Sequence, residues 1–116
     1  MTQKSSKITI GLPVYNREKF IRKRLDNILS QSFQNFKIII YDNSNDSTPC
    51  ICKKYDEKEG RILYVHEKKS RGIEYAFNYV LKKADTEFFV WAASDDLWAT
   101  NFLEKNISIL EKQSKI

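Results

Sequence analysis

Phe88-Phe89-Val90-Trp91-Ala92-Ala93-Ser94-Asp95-Asp96-Leu97-Trp98 decides the architecture of this 116-residue chain. Its apolar opening, rich in β-forming residues, predicts a strand covered on both faces, as strands inside parallel sheets are. The run stops at two adjacent carboxylates. Like charges that close are unfavourable without a counter-charge, so Asp95 and Asp96 mark either a water-exposed turn or a cation site.

Three further strand–helix units are predicted upstream. Lys7–Leu12 alternates and stops at Pro13, a strand running into a turn. Asn16 is placed to cap the next helix, whose Ile21, Leu25, Ile28 and Leu29 form one apolar stripe reaching Gln31. Phe36–Tyr41 reads as a second buried strand. The polar loop Asp42-Asn43-Ser44-Asn45-Asp46-Ser47-Thr48-Pro49 follows, with Thr48 as N-cap and Pro49 at the first position of a short helix through Tyr55. Arg61–Val65 is a third strand. Gly72 opens a helix carrying Ile73, Ala76, Phe77, Val80 and Leu81 on one face. Beyond the quoted stretch, Thr100 caps a last helix with Leu103, Ile107 and Leu110. Four such units with short connections predict an α/β fold: a mostly parallel, Rossmann-like sheet with helices on both faces and right-handed crossovers. No repeat, low-complexity tract or linker interrupts it, so residues 1–116 read as one domain.

A composition of 41% hydrophobic and 30% charged residues suits a folded domain rather than a disordered one. No apolar run is long enough to span a bilayer, and the polar start Met1-Thr2-Gln3-Lys4-Ser5-Ser6 lacks the apolar segment of a secretion signal, which predicts a cytoplasmic protein. Cys50 and Cys52, one residue apart, suit neither a disulfide framework nor a four-ligand zinc site, and read as reduced and structural. The net charge of +5 is uneven: residues 1–41 hold eight Lys/Arg against two acids. Arg17, Lys19, Arg22, Lys23 and Arg24 fall on one predicted helix, which reads as a solvated basic face with a weak attraction for anionic headgroups or nucleotide phosphates. Nucleic acid is a disfavoured partner, because the acids sit where it would dock and no recognition motif is present.

In open α/β sheets, ligands bind beyond the carboxyl ends of the strands, near the reversal of strand order. Tyr15 follows strand one, Asp42 and Asp46 strand two, Arg71 strand three, and Asp95 and Asp96 strand four, so all are expected on one edge. The first turn, Gly11-Leu12-Pro13-Val14-Tyr15-Asn16, is not a dinucleotide fingerprint, and there is neither a P-loop nor a Gly-x-Ser-x-Gly elbow. His66, the single histidine, reads as an ordinary strand-end residue. A phosphoacceptor receiver would need paired acids after strand one, where there are none. What remains, carboxylates and an aromatic ring, suits a hard cation, a diphosphate and a flat base.

The ordered set of motifs resembles glycosyltransferase family 2, nucleotide-sugar-dependent enzymes with a GT-A fold. Pro13-Val14-Tyr15-Asn16 is similar to the family's opening motif, and Asp42 to Thr48 to its acidic loop. Ser70-Arg71-Gly72 leading to Ala76-Phe77-Asn78 is similar to its Asn-x-Gly…Ala-Arg-Asn helix, and Ala93 to Trp98 to its Asp-x-Asp-Asp segment. The resemblance implies that Tyr15 lies against a base, uracil by expectation, with main-chain groups of Pro13 and Val14 near the ribose. It implies that Asp42 accepts from a ring N–H of the base. Asp95 would bind Mn2+ or Mg2+ on the diphosphate, Asp96 would assist the metal or face the sugar, and Arg71 would meet base or phosphate.

Three departures mark a divergent member: Ala93 replaces the first acid of Asp-x-Asp, Phe77 the frequent Arg and Ser70 the Asn. The acidic loop is also a residue shorter than usual. The family's catalytic domain continues well past this length, and its acceptor-binding half carries the general base. Residues 1–116 are therefore expected to be the donor-binding half, truncated after the fourth strand–helix unit and inactive alone. The whole enzyme would invert the anomeric carbon of a UDP-sugar onto a glycan or lipid-linked acceptor in cell-surface polysaccharide synthesis, peripheral to the inner membrane face. The rival reading is a non-catalytic nucleotide-binding accessory domain of the same process.

Overall fold

The β-rich segments form strands β1 (Ile8–Val14), β2 (Phe36–Asp42), β3 (Ile62–His66) and β4 (Phe88–Trp91). They alternate with helices α1 (Ile21–Leu29), α2 (Thr48–Lys58), α3 (Ile73–Lys83) and α4 (Phe102–Gln113). The computed structural model describes residues 6–94 and 96–113. All three strand pairings are parallel, in the order β3-β2-β1-β4.

That order explains where the helices lie. From β1 through β3 the chain steps in one direction, and right-handed crossovers put α1 and α2 on one face. The jump from β3 back across to β4 reverses the direction, so α3 covers the other face. The pleat sorts the side chains accordingly. Ile10, Leu12, Ile38 and Ile40 pack with Leu25 and Ile28 of α1, Ile51 of α2, and Leu103 and Ile107 of α4. Ile39 and Tyr41, out of phase with them, pack with Ala76 and Val80 of α3. Each fully buried aliphatic contributes about 1.5–3 kcal/mol, so the first face supplies most of the apolar stabilisation.

Gly11 sits under the second face. A Cβ there would lie 2.7 Å from the Phe89 ring, 2.8 Å from Val80 and 2.9 Å from the Trp91 ring. The two rings of β4 meet edge to face above this bare backbone, centroids 4.7 Å apart.

Several local expectations are corrected. β1 runs through Pro13 to Val14, pairing Pro13 with Tyr41 and Val14 with Asp42. Gly11 O accepts from Ala92 N on the β4 side. Pro13, two residues on, turns its missing N–H the same way, past the end of β4, and no ladder bond is lost. Strand β4 is half-buried rather than covered on both faces, because it lies at the sheet's edge. Asn16 does not cap α1, which begins at Ile21; Asn16 takes a left-handed φ of 49° and its Oδ1 accepts from Asn45 N at 2.9 Å. Thr48 is the first residue of α2, and the acceptor for its amide is Asp46 Oδ1 at 2.8 Å. Helix α2 also runs three residues past Tyr55, to Lys58. No described helix is long and apolar enough to cross a membrane.

Candidate functional site

Two loops are laced together at the carboxyl end of the sheet. Asn16 N donates to Ser44 Oγ at 2.7 Å, and Arg17 N to Thr48 Oγ1 at 2.9 Å. Asn43 N donates to Val14 O at 3.0 Å. Burial works against the Asp46 carboxylate, but hydrogen bonds from the Thr48 side chain and amide and from the Glu18 amide outweigh it and hold its pKa below the ordinary value. The polar residues of this loop are mostly spent on building it. His66 is spent similarly, with Nε2 donating to Ser44 O at 2.9 Å.

Beside these loops, on the α3 face, a crevice of about 500 Å³ opens, within the range of small-molecule sites. Pro13, Val14 and Tyr15 form one lip, with Tyr15 57% exposed. Tyr41 and Asn43 line it from β2, and Ile73 and Phe77 from the start of α3. Trp91 and Ala92-Ala93-Ser94 close the β4 side. Phe77 and Trp91 rings lie 4.3 Å apart there. The apolar stripe expected to bury α3 is thus shared: Ala76 and Val80 enter the core, while Ile73 and Phe77 face the crevice.

Asp42 does not line the crevice. Its side chain has the phase of Val14 and Ile40, which belong to the opposite core. It is fully buried; Oδ1 accepts from Ser44 N at 2.8 Å and Oδ2 from Tyr64 OH at 2.7 Å. Burial and that donation push the Tyr64 pKa up. The crevice residue is instead Asn43, in phase with Tyr41. Asn43 Nδ2 donates to Glu67 O at 3.0 Å, which leaves its Oδ1 as the acceptor on offer. Tyr41 OH donates to Glu67 Oε1, and burial followed by that bond pushes its pKa up to about 12. Period-two counting along β2 is the signal that separates 43 from 42.

Arg71 stands on the rim, flanked by the lining residues Ser70 and Gly72. Its Nε is 3.5 Å from Glu67 Oε1 and its guanidinium 5.1 Å from the Tyr75 ring centroid. Arg17, expected on a solvated face, instead lines the crevice. Its Nη1 donates to Tyr15 O at 3.3 Å and Asn16 O at 3.4 Å, and its Nε is buried without a hydrogen-bond partner among the described residues.

Asp95 lies outside the described residues. Asp96 is exposed, with Oδ1 accepting from Leu97 N at 3.0 Å. Among the described residues no group of three or more His, Cys, Asp or Glu side chains is placed to hold a metal. Among the described residues no Asp or Glu lines the crevice; the two carboxylates that follow the lining residue Ser94 in sequence are the donor set that a Mg2+- or Mn2+-type ion takes, with phosphate oxygens and water completing its shell. They do not fit a resident structural ion. Cys50 is exposed, Cys52 buried, and both are free thiols.

Known proteins share this fold and much of this sequence. A structure of Staphylococcus aureus TarS 1-349 in complex with UDP-GlcNAc superposes with a TM-score of 0.82 at 28% identity, over 91% of this chain and 31% of that one. A mannosyltransferase, PcManGT of Pyrobaculum calidifontis, in complex with GDP-Man and Mn2+, gives 0.73 at 29% identity, over 82% and 29%. An uncharacterized glycosyltransferase of Rickettsia typhi is 37% identical over 106 residues, 90% of this chain and 32% of that protein. A putative teichuronic acid biosynthesis glycosyltransferase, TuaG of Bacillus subtilis, is 29% identical over 115 residues, 98% of this chain and 46% of that protein. The chain thus spans from about a third to under half of these relatives. The model of Glycosyl transferase family 2 matches residues 9–116. With its parallel sheet, its crevice at the reversal of strand order and this match over nearly its whole length, the chain belongs to glycosyltransferase family 2.

Proposed function

We propose that this chain is the donor-binding half of a metal-dependent, inverting glycosyltransferase that takes a sugar from a UDP-sugar. The carrying observation is the single crevice wall formed by the Tyr15 ring, the Pro13 and Val14 main chain and the fixed Asn43 amide, with the acidic turn following its opposite side. In this reading a uracil ring stacks on Tyr15, and its ring N–H donates to Asn43 Oδ1 rather than to Asp42. Asp42 acts from below, holding Ser44 and through it the backbone of Asn16. Arg17, and Arg71 from the rim, supply positive charge toward the diphosphate. Asp95 and Asp96 would hold the divalent ion, which when bound neutralises charge on the departing diphosphate. Phe77 and Ile73 present an apolar wall that excludes water from the donor.

The share of its relatives that this chain covers supports assigning the acceptor site and the general base to sequence outside it. The nucleotide sugars bound in its structural neighbours support the donor class. TuaG supports an acceptor in a cell-surface polysaccharide. Exposed Arg22 and Lys23 of α1 support a weak contact with anionic headgroups, where a lipid-linked acceptor would be met.

The test is thermal melting of the chain with UDP, UDP-GlcNAc and GDP-mannose, with and without Mn2+. Uridine nucleotides with Mn2+ are expected to raise the melting temperature, since a ligand at about 100 times its Kd stabilises by about 2.7 kcal/mol. A flat response to every nucleotide, with and without the ion, would overturn the reading.

A further inference from the structure

Arg24 lies on α1 with no exposed surface at all. It was expected on a solvated basic face with Arg22 and Lys23, which are indeed exposed. Burying a guanidinium carries a desolvation cost that an apolar side chain of similar volume avoids, so its retention here points to use. Its Nε donates to Ala93 O at 2.7 Å, its Nη1 to Asn27 Oδ1 at 2.7 Å, and its plane lies 4.3 Å from the Trp98 ring centroid. Asn27 clasps the same tryptophan's backbone, accepting from Trp98 N and donating to Trp98 O, each at 2.9 Å. Gln31 continues the line, donating to Ala99 O at 2.8 Å and accepting from Leu103 N at 3.1 Å.

Arg24 and Asn27 stand at i and i+3 on one stripe of α1, and Gln31 continues that line just past the helix end. The stripe grips Ala93 at one end and Trp98 at the other. Between those two anchor points the sequence is Ser94-Asp95-Asp96-Leu97. A buried cation therefore holds both Ala93 and Trp98, the residues on either side of that stretch, from the face of the sheet opposite the crevice. Ala93 and Ser94, next to that pin, line the crevice itself.

We propose that Arg24 is a positioning residue: it fixes Ala93 and Trp98, which flank the acidic stretch in sequence, against α1 and so sets the cation-dependent share of nucleotide affinity. The second half of this statement rests on the proposed donor site; the first does not. An ordinary packing role would be served by charge or bulk alone, whereas this one needs the planar fork, which Lys lacks.

The test is Arg24→Lys in this chain, read in two ways. In amide hydrogen exchange, Trp98 N–H is expected to exchange about tenfold faster, while the amides of β1 and β2 stay within about twofold. In UDP titrations, the gain in affinity on adding Mn2+ is expected to fall about tenfold, with metal-free UDP binding unchanged. Exchange unchanged at Trp98, or raised equally across the sheet, overturns the proposal. So does a Mn2+ gain that survives the substitution in full. If the unsubstituted chain binds no UDP, the donor-site reading fails, and the exchange arm still decides the role of Arg24. Should the Lys variant not fold, Asn27→Ala removes the Trp98 clasp and is expected to speed the same amide severalfold; no change there overturns the proposal equally.

Discussion

On the α1, α2 and α4 face of the sheet, Ile10, Leu12, Ile38 and Ile40 are wholly buried. Across the sheet, the α3 face leaves Ile73 73%, Phe77 36% and Leu81 48% exposed, with Ala76 and Val80 as the helix's buried anchors. The same parallel strands serve both faces, so the difference is one of what covers them. Three helices complete a dry core on the first. A single helix, placed there by the jump back to β4, leaves an aromatic gap on the second. The larger core thus belongs to one phase of the pleat, while the other carries both the crevice and a smaller core of Ile39 and Tyr41 on Ala76 and Val80.

The largest expected effect tests that division directly. Ile38→Ala should cost about 2–5 kcal/mol in urea unfolding, the range for a large-to-small change in a closed core. Phe77→Ala, on the open face, should cost about 1 kcal/mol or less while weakening UDP binding, because the residue is already 36% exposed at the crevice. Equal losses of stability from the two would erase the distinction between the faces.

A finer comparison uses neighbours in sequence. Asp42→Ala leaves Tyr64 OH and Ser44 N without their acceptor and should lower stability by about 1–3 kcal/mol. Asn43→Ala should leave stability within about 1 kcal/mol and weaken uridine binding by about tenfold. Melting and titration on both variants read the exchange of roles; nucleotide loss greater at 42 than at 43, after correction for unfolding, would reverse the assignment.

The smallest effect is a matter of pH. The Asp46 pKa is depressed below 3.8 in the folded chain. Its contribution is therefore present above that unfolded value and is lost as pH falls through the folded one. Asp46→Asn should flatten the acid limb of the stability profile below about pH 4 and leave the profile between pH 6 and 8 parallel to the original. An acid limb unchanged by the substitution would show that the loop's carboxylate is not held by its hydrogen bonds.

Much of this layout is legible without coordinates. Alternating strands and helices imply the parallel sheet, and the position of Tyr15 just past a strand implies its place at the carboxyl edge. Two features resist such reading. The side of the sheet that Asp42 takes depends on where β2 ends and on the pairing of Val14 with Asp42, which Pro13 disguises as the end of β1. A loop acid and a strand acid look alike until that register is known. Arg24 resists for a different reason: a guanidinium in a run of Lys and Arg reads as solvated, and its burial depends on a turn 69 residues away. The apolar face of α3 is legible, but its division between core and crevice depends on the strand order.

Gly11 carries a last consequence. Its bare backbone is the seat on which Trp91 rests, at a distance that admits no methyl group. Adding one would press on the Phe89 ring, Val80 and the indole together, and the indole is a wall of the crevice. The gauge of that wall is set one layer down, by the smallest residue in the chain, and a designer wishing to reshape the cavity could begin there without changing a residue that lines it.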